Sequence, residues 1–299
     1  MTSRISSGWK SGRKGMISLR KISAQTDVTD GNTCYSLEEA VYGVYTDAGC
    51  TAQVGELVTD ASGTSGLLAV DAGSYYVKEK TAPRGYALDE TVYKVEVAVG
   101  QTAQVTQRTI PQKNPLEVLL KKYDREVEFQ EEGNAPQGAA SLEGAEFTFR
   151  FYPGDYDSLE ELEGVDPART WVLRSNEKGE VRMGEAFLVG GDPVWKDGNG
   201  TWFLPLGTVT IQETKAPQGY NISGETLLRR ITPEGTGEQV QTYQTPDFAE
   251  DVIRGDLEII KVYQNEEEKE DVLEGIEGVE FTLTSRTTGK GSAPDRDRP

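Results

Sequence analysis

Short stretches in which apolar and polar residues alternate recur along the chain, and this period of two predicts β-strands. One such stretch occurs three times and ends in lysine each time, at positions 17–21, 118–122 and 257–261. The predicted strands are rich in Val, Ile, Thr and Tyr, and turns rich in Gly, Asp, Asn and Pro separate them. The pattern predicts an all-β chain of immunoglobulin-like β-sandwiches.

A second motif, Glu-x-x-Ala-Pro-x-Gly-Tyr, occurs at positions 79–86 and 213–220. We expect a turn in both copies, because proline presets φ and glycine permits a positive φ. Copies that lie at long and unequal intervals indicate tandem domains rather than a short-period solenoid.

These repeats divide the chain into four segments. We expect a disordered, basic tail over 1–14, a β-sandwich over 15–114 and a larger β-sandwich over 115–251. A third domain begins near 252 and reaches 299 without the Glu-x-x-Ala-Pro motif, so we expect it to be incomplete and the sequence to be a fragment. One short helix is predicted, at 158–163.

The composition narrows the possible functions. A formal net charge of −19 repels phosphate backbones and argues against nucleic-acid binding. The chain has no histidine, which removes the commonest catalytic base and every imidazole metal site. Two cysteines are too few for a structural zinc site, and no apolar run is long enough for a membrane span. We therefore expect no metal, no cofactor and no enzymatic turnover.

Lysines and glutamates share the apolar faces of predicted strands. Lys21 and Lys122 alternate with aliphatic residues, and so do Glu79 and Glu213. Burial lowers the pKa of a lysine and raises that of a carboxyl, and a neutral amine can attack a neighbouring Asn or Asp side chain to form an amide. The alternative is that these residues lie at strand ends, with the lysines reaching water.

These residues and motifs resemble the SpaA/CnaB-type repeat, or prealbumin-like domain, of Gram-positive pilins and collagen-adhesin stalks. The similarity covers nearly all of both complete domains and the start of the third. The first domain is most similar to the variant found in clostridial surface proteins, through the segments 34–37, 42–45 and 48–51.

The resemblance implies a covalent cross-link in each complete domain. In that family a lysine of the first strand bonds to an asparagine of the last strand, and a glutamate acts as catalyst. Lys21 and Lys122 match the lysine position, while Glu79 and Glu213 match the catalytic position.

The acceptor residues depart from the family pattern. In the first domain Asn114 lies near the expected place, but Gln112 or Lys113 occupies the usual position within the strand. In the second domain Asp247 and Asp251 are the candidates, and an aspartate serves as acceptor in related domains.

Cys34 and Cys50 flank one predicted strand of the first domain. In a secreted protein an isolated pair indicates a disulfide, whereas a reducing cytosol would keep two free thiols. The resemblance to surface proteins favours the disulfide.

The second domain has a longer middle region with acidic and tryptophan residues. The acidic residues fit either a calcium site or a solvated loop, and their spacing favours the loop. The tryptophans fit either a ligand-contacting patch or an enlarged core, and we favour the core. The residues are Asp155, Asp157, Glu160, Glu161, Trp171, Trp195 and Trp202.

The function implied by the resemblance is a structural stalk or spacer of a Gram-positive adhesin or pilin-like protein, stiffened by isopeptide bonds. Its location would be extracellular, at the cell wall or cell surface. Its partners would be a host extracellular-matrix protein or sibling pilin subunits. Two alternatives are a ligand-binding module that grips a host or matrix protein, and accessory β-domains of an extracellular enzyme.

Overall fold

The computed structural model describes residues 13–125, 136, 140–255, 257, 259, 280–284 and 291–292. Regular structure in these residues is almost entirely β-strand, which confirms the all-β prediction. Most of the predicted tail and of the predicted third domain, with its strand at 257–261, lies outside the described residues.

The first domain is a sandwich of two sheets. One sheet has the strand order β4-β1-β7 and the other the order β3-β2-β5-β6. The first and last strands, β1 and β7, are parallel neighbours. The elements are β1 Lys14–Ser23, α1 Thr26–Thr29, β2 Val41–Tyr45, β3 Gln53–Val58, β4 Leu68–Asp71, β5 Gly73–Thr81, β6 Val92–Val97 and β7 Thr102–Thr109.

Alternation along the strands builds the core of the first domain. Ile17 and Leu19 of β1 are fully buried and pack against Tyr42 and Val77 of the opposite sheet. The single helical turn α1, which the sequence pattern does not predict, lies between β1 and β2.

The second domain repeats the arrangement with a larger sheet. Its sheets have the orders β13-β11-β10-β15-β16 and β12-β9-β17, and again the first and last strands, β9 and β17, run parallel. The elements are β8 Lys113–Pro115, β9 Val118–Asp124, β10 Glu146–Tyr152, β11 Arg169–Arg174, β12 Glu180–Arg182, β13 Leu188–Gly191, β14 Phe203–Pro205, β15 Gly207–Lys215, β16 Thr226–Ile231 and β17 Asp247–Glu250.

The middle region of the second domain is mostly core. Trp171 and Trp195 are buried with ring centroids 5.8 Å apart, which supports the core interpretation of the tryptophans. The predicted short helix is a 3₁₀ turn, Glu160–Leu162. Further along the chain, β18 Leu283–Thr284 and β19 Gly291–Ser292 form a small antiparallel pair.

Both copies of the Ala-Pro-x-Gly-Tyr motif form turns, as predicted. Gly85 and Gly219 have φ of +83° and +88°, a region that residues with a Cβ rarely adopt. In both turns the tyrosine N–H donates to the proline carbonyl oxygen three residues earlier, at 3.2 Å from Tyr86 and 3.3 Å from Tyr220.

A buried joint connects the two domains. The linker strand β8 pairs with β14 of the second domain. The Tyr35 hydroxyl donates to the Gln112 carbonyl oxygen at 2.7 Å and accepts from the Leu206 N–H at 2.9 Å. Asn32 Nδ2 donates to the Leu206 carbonyl oxygen at 2.8 Å. Tyr35 also belongs to the apolar cluster that forms the core of the second domain, whereas the core of the first domain is a separate cluster, so residues of the first domain extend the second core at this joint.

Candidate functional site

The first domain contains a fully buried lysine beside a buried glutamate. Lys21 comes from β1 and Glu79 from β5, and both side chains are 0% exposed. Lys21 Nζ contacts Glu79 Oε1 and also donates to Tyr42 Oη at 3.0 Å. Both side chains lie on the inner faces of opposing sheets, as expected from their alternation with core residues along β1 and β5.

Hydrogen bonds hold Glu79 in place. Its second oxygen, Oε2, accepts from the Asp89 N–H at 2.7 Å. The Asp89 carboxylate in turn accepts from Tyr93 Oη and, at 3.0 Å, from Gln107 Nε2. Burial lowers the pKa of Lys21 against the opposing effect of Glu79, and burial raises the pKa of Glu79. Burial thus favours the neutral form of each group.

The second domain contains a lysine between two carboxyls. Lys122 of β9 lies with its Nζ 2.6 Å from Glu213 Oε1 of β15, and it also contacts Glu250 Oε1 of β17. All three side chains are 0% exposed. The rings of Phe147 and Phe248 lie 4.9 Å and 5.9 Å from Lys122 Nζ, so this cluster is enclosed by apolar groups.

The two carboxyl groups beside Lys122 differ in their surroundings: Glu213 accepts a backbone hydrogen bond, and Glu250 has a raised pKa. Glu213 Oε2 accepts from the Ser223 N–H at 2.8 Å, the counterpart of the bond from Asp89 to Glu79. Burial raises the pKa of Glu250 to about 7, an effect that Lys122 opposes and Glu213 reinforces. Glu250 can therefore be a neutral acid near physiological pH.

Strand register makes the two clusters directly comparable. Lys21 lies opposite Gln107 of β7, and Lys122 lies opposite Phe248 of β17. Two residues further along the last strand, the first domain has Thr109 and the second has Glu250. Sequence reasoning missed Glu250, although its spacing of two from the apolar Phe248 indicates the core face.

The structure does not bring the predicted acceptors to the lysines. Asn114 lies in the linker strand β8, where its Oδ1 accepts from the Tyr243 N–H at 3.0 Å. Asp247 lies opposite Lys121, and both are exposed, because they point away from the core face that carries Glu250. Asp251 makes a surface ion pair with Arg125 at 2.9 Å. The three predicted acceptors therefore lie either beyond the last strand of their domain, as Asn114 and Asp251 do, or on its exposed face, as Asp247 does.

The two cysteines are free thiols and lie at opposite ends of β2. The Cys34 carbonyl is packed against Gly85, just beyond the end of β5 that pairs with the start of β2. Cys50 lies in the turn after β2, a strand of five residues. The expected disulfide is therefore not formed in this structure.

The acidic residues of the second domain bind an arginine. Asp155 accepts from Arg230 at 2.6 and 2.8 Å, and Asp157 also contacts Arg230. Within the described part of the chain no group of three or more acidic or cysteine side chains could hold a metal ion. In that same part no helix has the length and apolar character needed to cross a membrane.

The described residues form β-sandwiches with buried lysines, and a comparison with known families matches the first of them. Residues 9–110 match the SpaA family, described as a prealbumin-like fold domain. The matched segment covers nearly all of the first domain.

The chain is similar to several solved structures, among them pilus adhesin and pilin structures. The TIE protein of Bacillus anthracis is 24% identical with a TM-score of 0.50, over 80% of this chain and 34% of that protein, so the chain spans about a third of its length. A C-terminal fragment of the pilus adhesin SpaC from Lactobacillus rhamnosus GG is 15% identical with a TM-score of 0.43, over 82% of this chain and 100% of the fragment. The major pilin subunit BcpA of Bacillus cereus is 13% identical with a TM-score of 0.30, over 79% of this chain and 99% of that one. No curated protein sequence matches the chain.

Proposed function

We propose that the two domains form a structural stalk or spacer in a Gram-positive surface protein of the pilin or adhesin type. The SpaA-type first domain supports the class of protein. The observation that carries the proposal is the buried joint, because a stalk must transmit position and force from one domain to the next.

The linker between the domains is buried, unlike the exposed and flexible linkers that usually separate domains. Gln112, Lys113 and Asn114 are at most 5% exposed. Lys113 Nζ lies 2.8 Å from Glu238 Oε1 and 4.9 Å from the centre of the Phe203 ring. The joint is therefore fixed by packing and by charge, which favours a rigid rod.

The chain leaves both domains by the same hydrogen-bond pattern. After the first domain, the Gln112 N–H donates to the Gly85 carbonyl oxygen at 2.8 Å. After the second, the Ile253 N–H donates to the Gly219 carbonyl oxygen, also at 2.8 Å. A repeated exit geometry suits an array of tandem domains, and the partner class that the proposal favours is a sibling subunit of the same fibre.

The buried lysine clusters suit the same role. Each lysine links the first strand of its domain to the opposite sheet, and the first strand lies beside the last. Force applied at the two ends of a domain acts on these neighbouring strands. We propose that Glu79 and Glu213 carry the lysine proton, and that in the second domain Lys122 forms an amide with Glu250, which its Nζ contacts.

A ligand-binding role has less support in the second domain. The apolar void lined by Trp171, Trp202 and Leu119 has a volume of about 10 Å³. A space of that size holds about one water molecule, so this core offers no room for an organic ligand.

The test is whether the joint is rigid in solution. Small-angle X-ray scattering should fit one fixed arrangement of the two domains, and Tyr35→Ala should broaden it and expose Lys113 to trypsin. Tyr76→Ala, on the outer face of β5, is the matched control and should leave both readouts unchanged. Scattering from the unaltered protein that requires many interdomain arrangements would remove the basis for the stalk.

A further inference from the structure

We infer that the second sandwich is folded only while the first is folded, because a segment of the first domain forms part of the second domain's core. The segment is residues 24–36, between β1 and β2, here called the arm. The inference rests on packing and does not depend on a role as a stalk.

The apolar contacts of the arm belong to the second domain. Val28, Cys34 and Tyr35 are at most 8% exposed, and all three lie in the apolar cluster built on the second sandwich. The core of the first sandwich is a separate cluster, whose buried members all lie between Ile17 and Val105 and include no residue of the arm. The arm therefore leaves the core of its own domain and completes that of its neighbour.

Trp195 is the residue through which the arm reaches the centre of the second core. Its Nε1 donates to the Asp27 carbonyl oxygen at 3.4 Å, and its ring packs edge-on against Phe151 and Trp171, with centroids 4.9 and 5.8 Å away. The Arg169 guanidinium covers the same ring at 3.7 Å. Loss of the arm would remove the acceptor of the indole N–H and open this cluster to water.

The other end of the arm holds the ends of two neighbouring strands of the five-stranded sheet. The Thr33 N–H donates to the carbonyl oxygen of Pro153, which directly follows β10, at 3.0 Å. Asn32 and Tyr35 bind the backbone of Leu206, which directly precedes β15. Because β10 and β15 pair with each other, the arm fixes the sheet where both strands end.

The dependence runs in one direction. Both ends of the arm continue into strands of the first domain, so unfolding of that domain releases the arm, and ordering it again costs conformational entropy. Unfolding of the second domain leaves the first core and the buried pair of Lys21 and Glu79 complete. The first domain therefore persists alone and the second does not, which matches synthesis, in which the N-terminal domain folds first.

The test is urea unfolding of the 299-residue protein with pulsed hydrogen exchange, measured by mass spectrometry in peptides of β1 and of β15. Ile17→Val and Ile17→Ala weaken the first core in two steps. In both variants and in the unaltered protein, β15 should lose its protection no later than β1. Ile211→Ala weakens the second core and should produce a range of urea concentration in which β15 is unfolded while β1 is still protected.

Val28→Ala tests the arm itself. Although Val28 belongs to the first domain, its truncation should lower the urea midpoint of β15 by about 1 M and leave β1 folded where β15 unfolds. Val54→Ala is the matched control, because Val54 is a first-domain valine that is 48% exposed, and it should shift neither midpoint.

Peptides of β15 that stay protected where those of β1 are unfolded would overturn the inference in any of these proteins. A single shared transition in Ile211→Ala would overturn it too, as would a β15 midpoint in Val28→Ala equal to that in Val54→Ala. Ile17→Val keeps the test decisive if Ile17→Ala fails to fold. A rigid joint in scattering together with the reverse order of unfolding would remove this inference and leave the stalk in place.

Discussion

Removal of the buried amine of the first domain should destabilise that domain in a pH-dependent way. Lys21→Met keeps the volume and apolar character of the side chain but leaves Glu79 without its cation. The loss of one partner of a buried ion pair costs about 3–5 kcal/mol. For a domain of about 100 residues this corresponds to a fall in Tm of roughly 12–40 °C.

The sign of the pH dependence follows from Glu79. Burial raises the pKa of this carboxyl even beside Lys21, and the pKa rises further without the lysine. A group whose pKa is higher in the folded than in the unfolded state stabilises the protein fully below its unfolded pKa. That contribution is lost as the pH rises through the folded pKa. The variant should therefore lose up to about 1.4 kcal/mol of stability per pH unit across this range and be weaker at pH 8 than at pH 5.

Urea unfolding at both pH values, followed by hydrogen exchange of the β1 amides, measures the effect. Lys80→Met is the control, because Lys80 pairs with Glu56 on the surface, where such pairs contribute at most about 1 kcal/mol. Replacing both partners, as in Lys21→Met with Glu79→Leu, should recover much of the loss. A cost no larger than that of Lys80→Met, or one independent of pH, would refute the reasoning.

Two further outcomes test the turn and the thiols. Gly85→Ala should lower the free energy of unfolding by about 1–3 kcal/mol, measured by thermal unfolding, because φ is +83° and a Cβ would lie 2.7 Å from the Cys34 carbonyl oxygen. Gly66→Ala is the control and should be nearly neutral, because a Cβ at that position would lie in open space. Maleimide should label Cys50 in the native protein but label Cys34 only after unfolding, since burial raises the pKa of Cys34 to about 11; two unreactive cysteines that react only after reduction would instead indicate a disulfide.

Local pattern was enough to predict the lysine–glutamate pairs. Lys21 and Glu79 each alternate with core residues on their own strands, and that parity does not depend on which strands are neighbours. The turns at Gly85 and Gly219 were predictable for the same reason, because proline and glycine act within a few residues.

The acceptor position was not predictable in this way, because it depends on the register between strands far apart in sequence. β9 and β17 pair across more than a hundred residues, and a slip of one residue reverses the face of every side chain. Asp247 and Glu250 differ by three positions, so they point to opposite faces, and a choice restricted to Asn and Asp residues selected the exposed one. The joint was missed because Tyr35 lies outside any alternating strand and its partner, Leu206, is a residue of the next domain.

The strongest consequence of the register argument is that the cross-link can be transferred to the first domain. Thr109→Glu adds a carboxyl two residues beyond the position opposite Lys21, where Glu250 stands relative to Lys122. The larger side chain overpacks a fully buried site, at a cost of about 1–3 kcal/mol. Thr109→Met carries nearly the same volume without an acceptor and controls for that cost.

Intact mass should show the loss of a second water, mapped to Lys21 and residue 109, in the first variant and not in its control. Adding Glu79→Gln should suppress the second loss, because no carboxylate then accepts the lysine proton. If Thr109→Glu folds as well as Thr109→Met and its mass shows no second loss after prolonged incubation, then position along the last strand does not determine where the bond forms.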